Sequence, residues 1–286
     1  MLKLRDGIIE LYRKVATSIP TDVEDALKAT RVGETEPFAR ESLETILKNI
    51  SRARTSNRPI CQDTGFPVFF VKVPIGLSQR NIRDIILDAT RLATQKVPLR
   101  ANAVSSITDK NSGDNVGDSF PMIYIEETDE QTLSIDLMLK GGGSENLGQI
   151  YKLPARLYMG ENEFVADRGF DGIKKCVLDA LFNTRGKECP PYTIAVAIGG
   201  SRDQVSYLSK RQLMRRLHDV HPDPVLAAFE SKLLEEVNSL SVRPSGFDGQ
   251  KIVLGVKIAA AHRHPESYFV DVSLACWANR RGKLVW

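Results

Sequence analysis

The chain has 286 residues, 26% charged and 42% hydrophobic, and its 39 Lys and Arg against 36 Asp and Glu leave a formal charge of +3. At that length roughly 75% of the unfolded surface can be buried, so no disulfide or metal is needed merely to hold a core. The small basic excess suits anionic metabolites and is too weak to select nucleic acid or a membrane surface, and no apolar run approaches the about 18 residues of a membrane span.

In chain order, residues 1 to 58 read as helical. Ile8, Ile9, Tyr12 and Val15 recur at helical spacing, Thr21 and Glu24 form a capping-box signature, and Gly33 marks a stop. Leu43, Ile46, Leu47 and Ile50 then share one face of a further helix. The N-terminus lacks the apolar block of a signal peptide, so the expected location is cytoplasmic, where the four cysteines stay reduced. "CQDTG", residues 61 to 65, leads into the strand-like "PVFFVKV", and Ser78 opens a helix carrying Ile82, Ile85, Ile86, Ala89, Leu92 and Ala93. Further strands are expected at "MIYIEE", "TLSIDLMLK", "YTIAVAIGG", "KIVLGVKIA" and "YFVDVSLAC", with helices near 173 to 184, 203 to 218 and 224 to 239. "TDKNSGDNVGDS" and "SVRPSGFDGQ" read as loops. No internal repeat is visible. The expected fold is mixed α/β in a single domain over 1–286: a helical N-terminal region, 1–58, and then a mixed sheet with flanking helices, 59–286.

Several residues could carry chemistry. Cys61, Cys189 and Cys276 lie at junctions between elements, far apart in sequence and without the CxxC spacing of zinc or ferredoxin-type sites. By spacing alone they read as small hydrophobes, a reading that Cys176, among Ile173, Val177, Ala180 and Leu181, fits well. "LKGGGSEN" offers backbone N–H groups to an anion at a helix start, or is only a tight turn. Asn146 stands where a dinucleotide fingerprint needs glycine. "IGGSRDQ" repeats that logic, with a serine-capped helix. His262 and His264 would share one face if they lay on a strand, whereas His218 and His221 fall at an expected helix end, where the dipole explains them. "NSGDNVGDS" lacks the ligand order of a calcium loop. The pairs and clusters Arg52, Arg54, Arg58 and Arg280, Arg281 read as a solvated face or a carboxylate contact.

Taken in order, "CQDTG", "KNSGDN", "KGGGSEN", "IGG" and "RHPES…CWANRR" make the chain resemble, over nearly its whole length, the α-type catalytic part of class I fumarate hydratases and L(+)-tartrate dehydratases, the iron–sulfur hydro-lyases. The resemblance implies a [4Fe–4S] cluster held by Cys61, Cys189 and Cys276, whose open iron serves as Lewis acid in the reversible hydration of fumarate to L-malate. It implies that Gln62 and Asp63 contact the bound acid, Asp63 taking part in proton transfer. Gly142 and Gly143 would offer N–H groups to a carboxylate, Arg100 would grip the other end of the dicarboxylate, and His264 would be the active-site histidine. It further implies a separate β-type subunit that completes the site, a higher oligomer of the αβ pair and a place in the tricarboxylic acid cycle. Leu99-Arg100-Ala101-Asn102 departs from the family's frequent "LRPN", and "VSSITDKNSGDN" from its commoner run, so L(+)-tartrate stays open as the substrate. Two readings from other classes also stay open: a cluster-free anion- or nucleotide-binding module using the glycine turns, and a scaffolding subunit.

Overall fold

The computed structural model describes residues 2–184, 187, 189–239 and 249–286. Its elements run α1 (Leu2–Thr17), α2 (Thr21–Gly33), α3 (Pro37–Ser56), β1 (Phe66–Pro74), α4 (Gln79–Lys96), β2 (Met122–Thr128), β3 (Ser134–Lys140) and α5 (Gly142–Asn146). They continue with β4 (Gln149–Lys152), β5 (Ala155–Met159), β6 (Asn162–Ala166), α6 (Phe170–Asn183), β7 (Tyr192–Ile198), α7 (Arg202–Gln212), α8 (Pro224–Ser239), β8 (Val253–Ala260), β9 (Phe269–Ala275) and β10 (Arg280–Val285). The helical start and the mixed sheets agree with the sequence reading. All but the last two residues of the loop expected at 241–250 lie outside the described residues.

The chain folds as two compact units, one of Met1–Pro20, Lys48–Gly142 and Ala278–Trp286, the other of Thr21–Leu47 and Gly143–Trp277. The first holds a four-stranded sheet in the order β10-β3-β1-β2, with β2 parallel and β3 antiparallel to β1. Alternation does the sorting: Phe69, Val71 and Val73 of β1 and Ile135, Leu137 and Leu139 of β3 turn to one face. There they meet Ile8, Tyr12 and Val15 of α1 and Ile82, Ile86, Ala89 and Ala93 of α4. Ser78 caps α4, its hydroxyl accepting the Asn81 N–H at 3.2 Å. At the centre Tyr12 lies edge-on to Phe69, ring centroids 5.7 Å apart, and its hydroxyl hydrogen-bonds Thr90 at 2.8 Å. Gly282 is required where α1 crosses β10, because a Cβ there would stand 2.8 Å from a Val15 methyl.

The second unit repeats the pairing pattern in the order β4-β9-β7-β8, with β8 parallel and β9 antiparallel to a wholly buried β7. β5 and β6 form a separate hairpin. Two expectations shift. The helix expected to reach 218 stops at Gln212: the N–H groups of Leu213, Met214 and Arg215 turn to carbonyls three residues back, and that of Leu217 goes to the Asp22 carboxylate at 2.8 Å. The strand before His262 and His264 ends at Ala260, so both histidines stand on a loop and share no strand face.

Truncating Phe69 to Ala should cost about 3–5 kcal/mol, the range for an aromatic lost from a packed core. Tyr12→Phe, which removes only the bond to Thr90, should cost about 1 kcal/mol. Denaturant midpoints of the two variants would check that ordering.

Candidate functional site

The "CQDTG" turn is pinned from both sides within the first unit. Behind it, the Ile60 N–H donates to the Ala16 carbonyl at 3.0 Å and Asn49 Nδ2 donates to the Ile60 carbonyl at 2.8 Å. Ahead of it, Asp63 closes an Asx-turn: Oδ1 accepts the Gly65 N–H at 2.8 Å. Oδ2 accepts the Gly142 N–H, also at 2.8 Å. Gly65 has φ +76°, and a Cβ on it would stand 2.7 Å from the Lys140 carbonyl oxygen, so only glycine permits the approach to the end of β3. The Asp63 carbonyl in turn accepts Arg280 Nη1 at 2.7 Å.

A second loop is knitted to this turn. Thr64 Oγ1 accepts the Arg100 N–H at 3.0 Å, and Asn102 Nδ2 donates to the Gly65 carbonyl at 2.7 Å. Asn115, at φ 59° and 3% exposed, accepts the Asn102 N–H at 2.6 Å and donates to the Arg100 carbonyl at 2.8 Å. The "KNSGDN" loop therefore holds the backbone of Arg100. The Gln62 and Arg100 side chains are left exposed, with Arg100 Nη1 3.4 Å from the Gln62 carbonyl. Gln62, Asp63, Arg100 and Gly142 thus stand on one polar rim. Gly143 follows within α5, whose Glu145 pairs with Lys210 of α7 at 2.5 Å.

In the second unit Cys189 and Cys276 converge. Thr193 near the start of β7 pairs with Ala275 at the end of β9, and just beyond, the Trp277 N–H donates to the Cys189 carbonyl at 3.3 Å. His264 lies elsewhere. The loop carrying it precedes β9, so seven residues of extended strand, about 23 Å, intervene before Cys276. There the "IGG" glycines meet the histidine loop: Gly200 N–H donates to the His262 carbonyl at 3.2 Å, and a Cβ on Gly199 would stand 2.2 Å from the Ala261 oxygen. Ser201 stands just before α7, yet its hydroxyl donates to Asp203 instead of capping the helix. His264 Nδ1 accepts the Glu266 N–H at 3.2 Å, which puts the ring proton of the neutral form on Nε2. Beside it Arg202 and Lys152 line an open cavity of about 570 Å³.

The thiols sort by environment. None of the four cysteines forms a disulfide; Cys61 and Cys276 are half-buried and Cys189 is exposed. Cys176 is buried on α6, where burial and then the charge of Asp179 push its thiol up to about 12. Among the described residues no group of three His, Cys, Asp or Glu side chains is placed to hold a metal ion. In donor chemistry Cys61, Cys189 and Cys276 fit a three-thiolate set, since each sulfur side chain is at least partly reachable, and Cys176 does not.

Residues 5–285 match the family model described as "Fumarate hydratase (Fumerase)". The chain belongs to that family of hydro-lyases. A Geobacillus stearothermophilus protein named "Putative fumarate hydratase class I" is 41% identical over 98% of this chain, which spans only 54% of that protein. Two relatives of similar length are a Methanocaldococcus jannaschii protein, "Putative L(+)-tartrate dehydratase subunit alpha", and the "L(+)-tartrate dehydratase subunit alpha" of Escherichia coli K12. The first is 34% identical over 98% of this chain and 96% of its own length. The second is 33% identical over 99% of this chain and 90% of its own. Among the described residues no helix is long and apolar enough to cross a membrane.

The residues that assemble the rim, Thr64, Asn102, Asn115 and Arg280, were not singled out by the sequence as site residues. The signal for two of them was present, in the asparagines of the loop and in the paired arginines after Cys276. Arg280 and Arg281 are 2% and 9% exposed, so the solvated-face reading fails for them, whereas Arg52, Arg54 and Arg58 are exposed as expected. Iodoacetamide at pH 8 should label Cys189 first and leave Cys176 unmodified until unfolding. A thiol at about 12 is roughly one part in 10⁴ thiolate there, and peptide mass spectrometry over time would check the order.

Proposed function

We propose that the chain is the α subunit of an iron–sulfur hydro-lyase that adds water reversibly to fumarate to give L-malate. The observation that carries this reading is the Asp63 clamp. By accepting the Gly65 and Gly142 N–H groups, one carboxylate sets an acid–base group, a glycine-turn backbone and the exposed Gln62 and Arg100 side chains on a single rim. That is the equipment for a small dicarboxylate: Arg100 for one carboxylate in a forked contact, turn N–H groups past Gly142, whose own N–H is held by Asp63, for the other, and Gln62 to orient it. Each Asp63 oxygen keeps one lone pair beyond its backbone bond, so the carboxylate can still accept a proton from carbon. Cys61, Cys189 and Cys276 would hold a [4Fe–4S] cluster, which when bound supplies a Lewis acid for the departing or arriving hydroxide, worth roughly several kcal/mol.

L(+)-tartrate is the second reading. It is favoured by the two relatives of matching length, both named as tartrate dehydratase α subunits, as fumarate is by the more identical but longer one. Those names also support a separate β subunit that completes the site. His264 would act differently from the other site residues. Because β9 separates it from Cys276 in the same chain, it would serve the centre of a second copy in a higher oligomer of the αβ pair. A cytoplasmic place and a role in the tricarboxylic acid cycle follow from this activity.

Anaerobic reconstitution with iron, sulfide and a β-type partner should give fumarate hydration, with tartrate assayed in parallel. Cys61→Ser, Cys189→Ser and Cys276→Ser should each lose iron and Cys176→Ser should not; unchanged iron in the first three would refute the ligand set. Asp63→Asn should lower kcat by about 10²–10⁴-fold. Mixing Asp63→Asn with His264→Asn chains should restore part of the activity if the histidine comes from another copy, and none if both residues serve one chain.

A further inference from the structure

Arg280 is 2% exposed, at the start of β10 and opposite Leu139 of β3. Among the described residues its single hydrogen bond is from Nη1 to the Asp63 carbonyl at 2.7 Å, and Nε is buried with no acceptor. Among the described residues no carboxylate lies within ion-pair distance of its guanidinium. Asp63, whose carbonyl it holds, has turned both carboxylate oxygens to the N–H groups of Gly65 and Gly142. A guanidinium cannot shed its proton to escape burial. A buried cation without a counter-charge is costly, and proteins ordinarily pair it. A carbonyl oxygen satisfies one N–H and does not neutralise the charge.

We propose that Arg280 is the fixed counter-charge of the Asp63 turn, completed by an anion that binds there. The inference rests on the dicarboxylate reading above and adds a binding residue to it. Two sources share the chemistry: a carboxylate of the diacid, or the cluster that Cys61, at the start of the turn, would help to hold. In either case Arg280 does two jobs. Nη1 orients the Asp63 peptide, and the rest of the fork presents positive charge beside the carboxylate that would exchange the proton. This also explains why an arginine occupies a strand start whose neighbours across β3 are apolar.

The test uses the full chain, with and without reconstituted iron and sulfide, and succinate as an unreactive diacid probe. Arg280→Met and Arg280→Lys are compared with the unaltered chain, and circular dichroism confirms that each folds. If a substrate carboxylate is the anion, Arg280→Met should weaken succinate binding at least tenfold by calorimetry, Arg280→Lys should lie between, and iron content should not change. If the cluster is the anion, Arg280→Met should lose iron or shift the cluster's reduction potential, with Arg280→Lys again between. Unchanged succinate affinity, iron content and potential in a folded Arg280→Met chain would overturn the proposal. So would equal losses in the Met and Lys variants, since a purely structural anchor gives no graded rescue by charge. Both binding and iron are read without turnover, so a chain inactive on fumarate and tartrate still decides the role of Arg280.

Discussion

One carboxylate holds the first unit's functional rim together. Asp63 accepts one backbone N–H from its own turn and one from the glycine turn after β3, so two segments nearly eighty residues apart in sequence become a single rigid object. The β-ladder prepares this: Phe66 of β1 pairs with Lys140 of β3, which brings the residues just before β1 and just after β3 to the same end of the sheet. Gly65 makes the last few ångströms possible, because any side chain at φ +76° would strike the Lys140 carbonyl. Apolar packing of α1 and α4 fixes the sheet. The hydrogen bonds of Asp63 turn its end into a site.

The second sheet uses the same device with different residues. Its central strand also has one parallel and one antiparallel neighbour, and Cys189 precedes that central strand as Cys61 precedes β1. Cys276 follows the antiparallel neighbour as the glycine turn follows β3. In both sheets, then, the residues with chemical promise gather where the central strand begins and its antiparallel partner ends. The same topology sends the parallel strand's exit, with His264, to the opposite end of the sheet. A residue twelve positions from a cysteine is close in sequence and remote in space when a strand lies between them.

That contrast marks what could be read from sequence. Strands and helices with a clear period, such as "PVFFVKV" or the Ser78 helix, appear where expected, because burial of one face enforces the period. β4, β10 and the hairpin of β5 and β6 were missed. β4 is four residues long, and β10 opens on two arginines and a glycine, so neither carries an apolar alternation; pairing with β9 and β3 makes them strands. Motifs located the turns of the site, because glycines and Asx residues act locally. Sequence could not say that Arg280 is buried, that Asn115 holds the Arg100 backbone, or that the two histidines leave the strand. Each of those depends on a partner far along the chain.

The departure at Ala101 shows how such partners substitute for local stiffness. A proline there would fix φ and remove an N–H, holding Arg100 in an extended conformation from the following position. With alanine the restriction is gone, and an arginine meant to meet a carboxylate would lose orientation to backbone entropy. Here four hydrogen bonds supply it instead. The Arg100 N–H goes to Thr64 and its carbonyl to Asn115, while the Ala101 carbonyl accepts Asn111 Nδ2 and the Asn102 N–H goes to Asn115. The Ala101 N–H takes no part in this set, so the network neither needs that donor nor forbids a proline. The rim's rigidity therefore comes from the "KNSGDN" loop as much as from the strand ends, and the loop's left-handed Asn115 belongs to the site although it would touch no substrate.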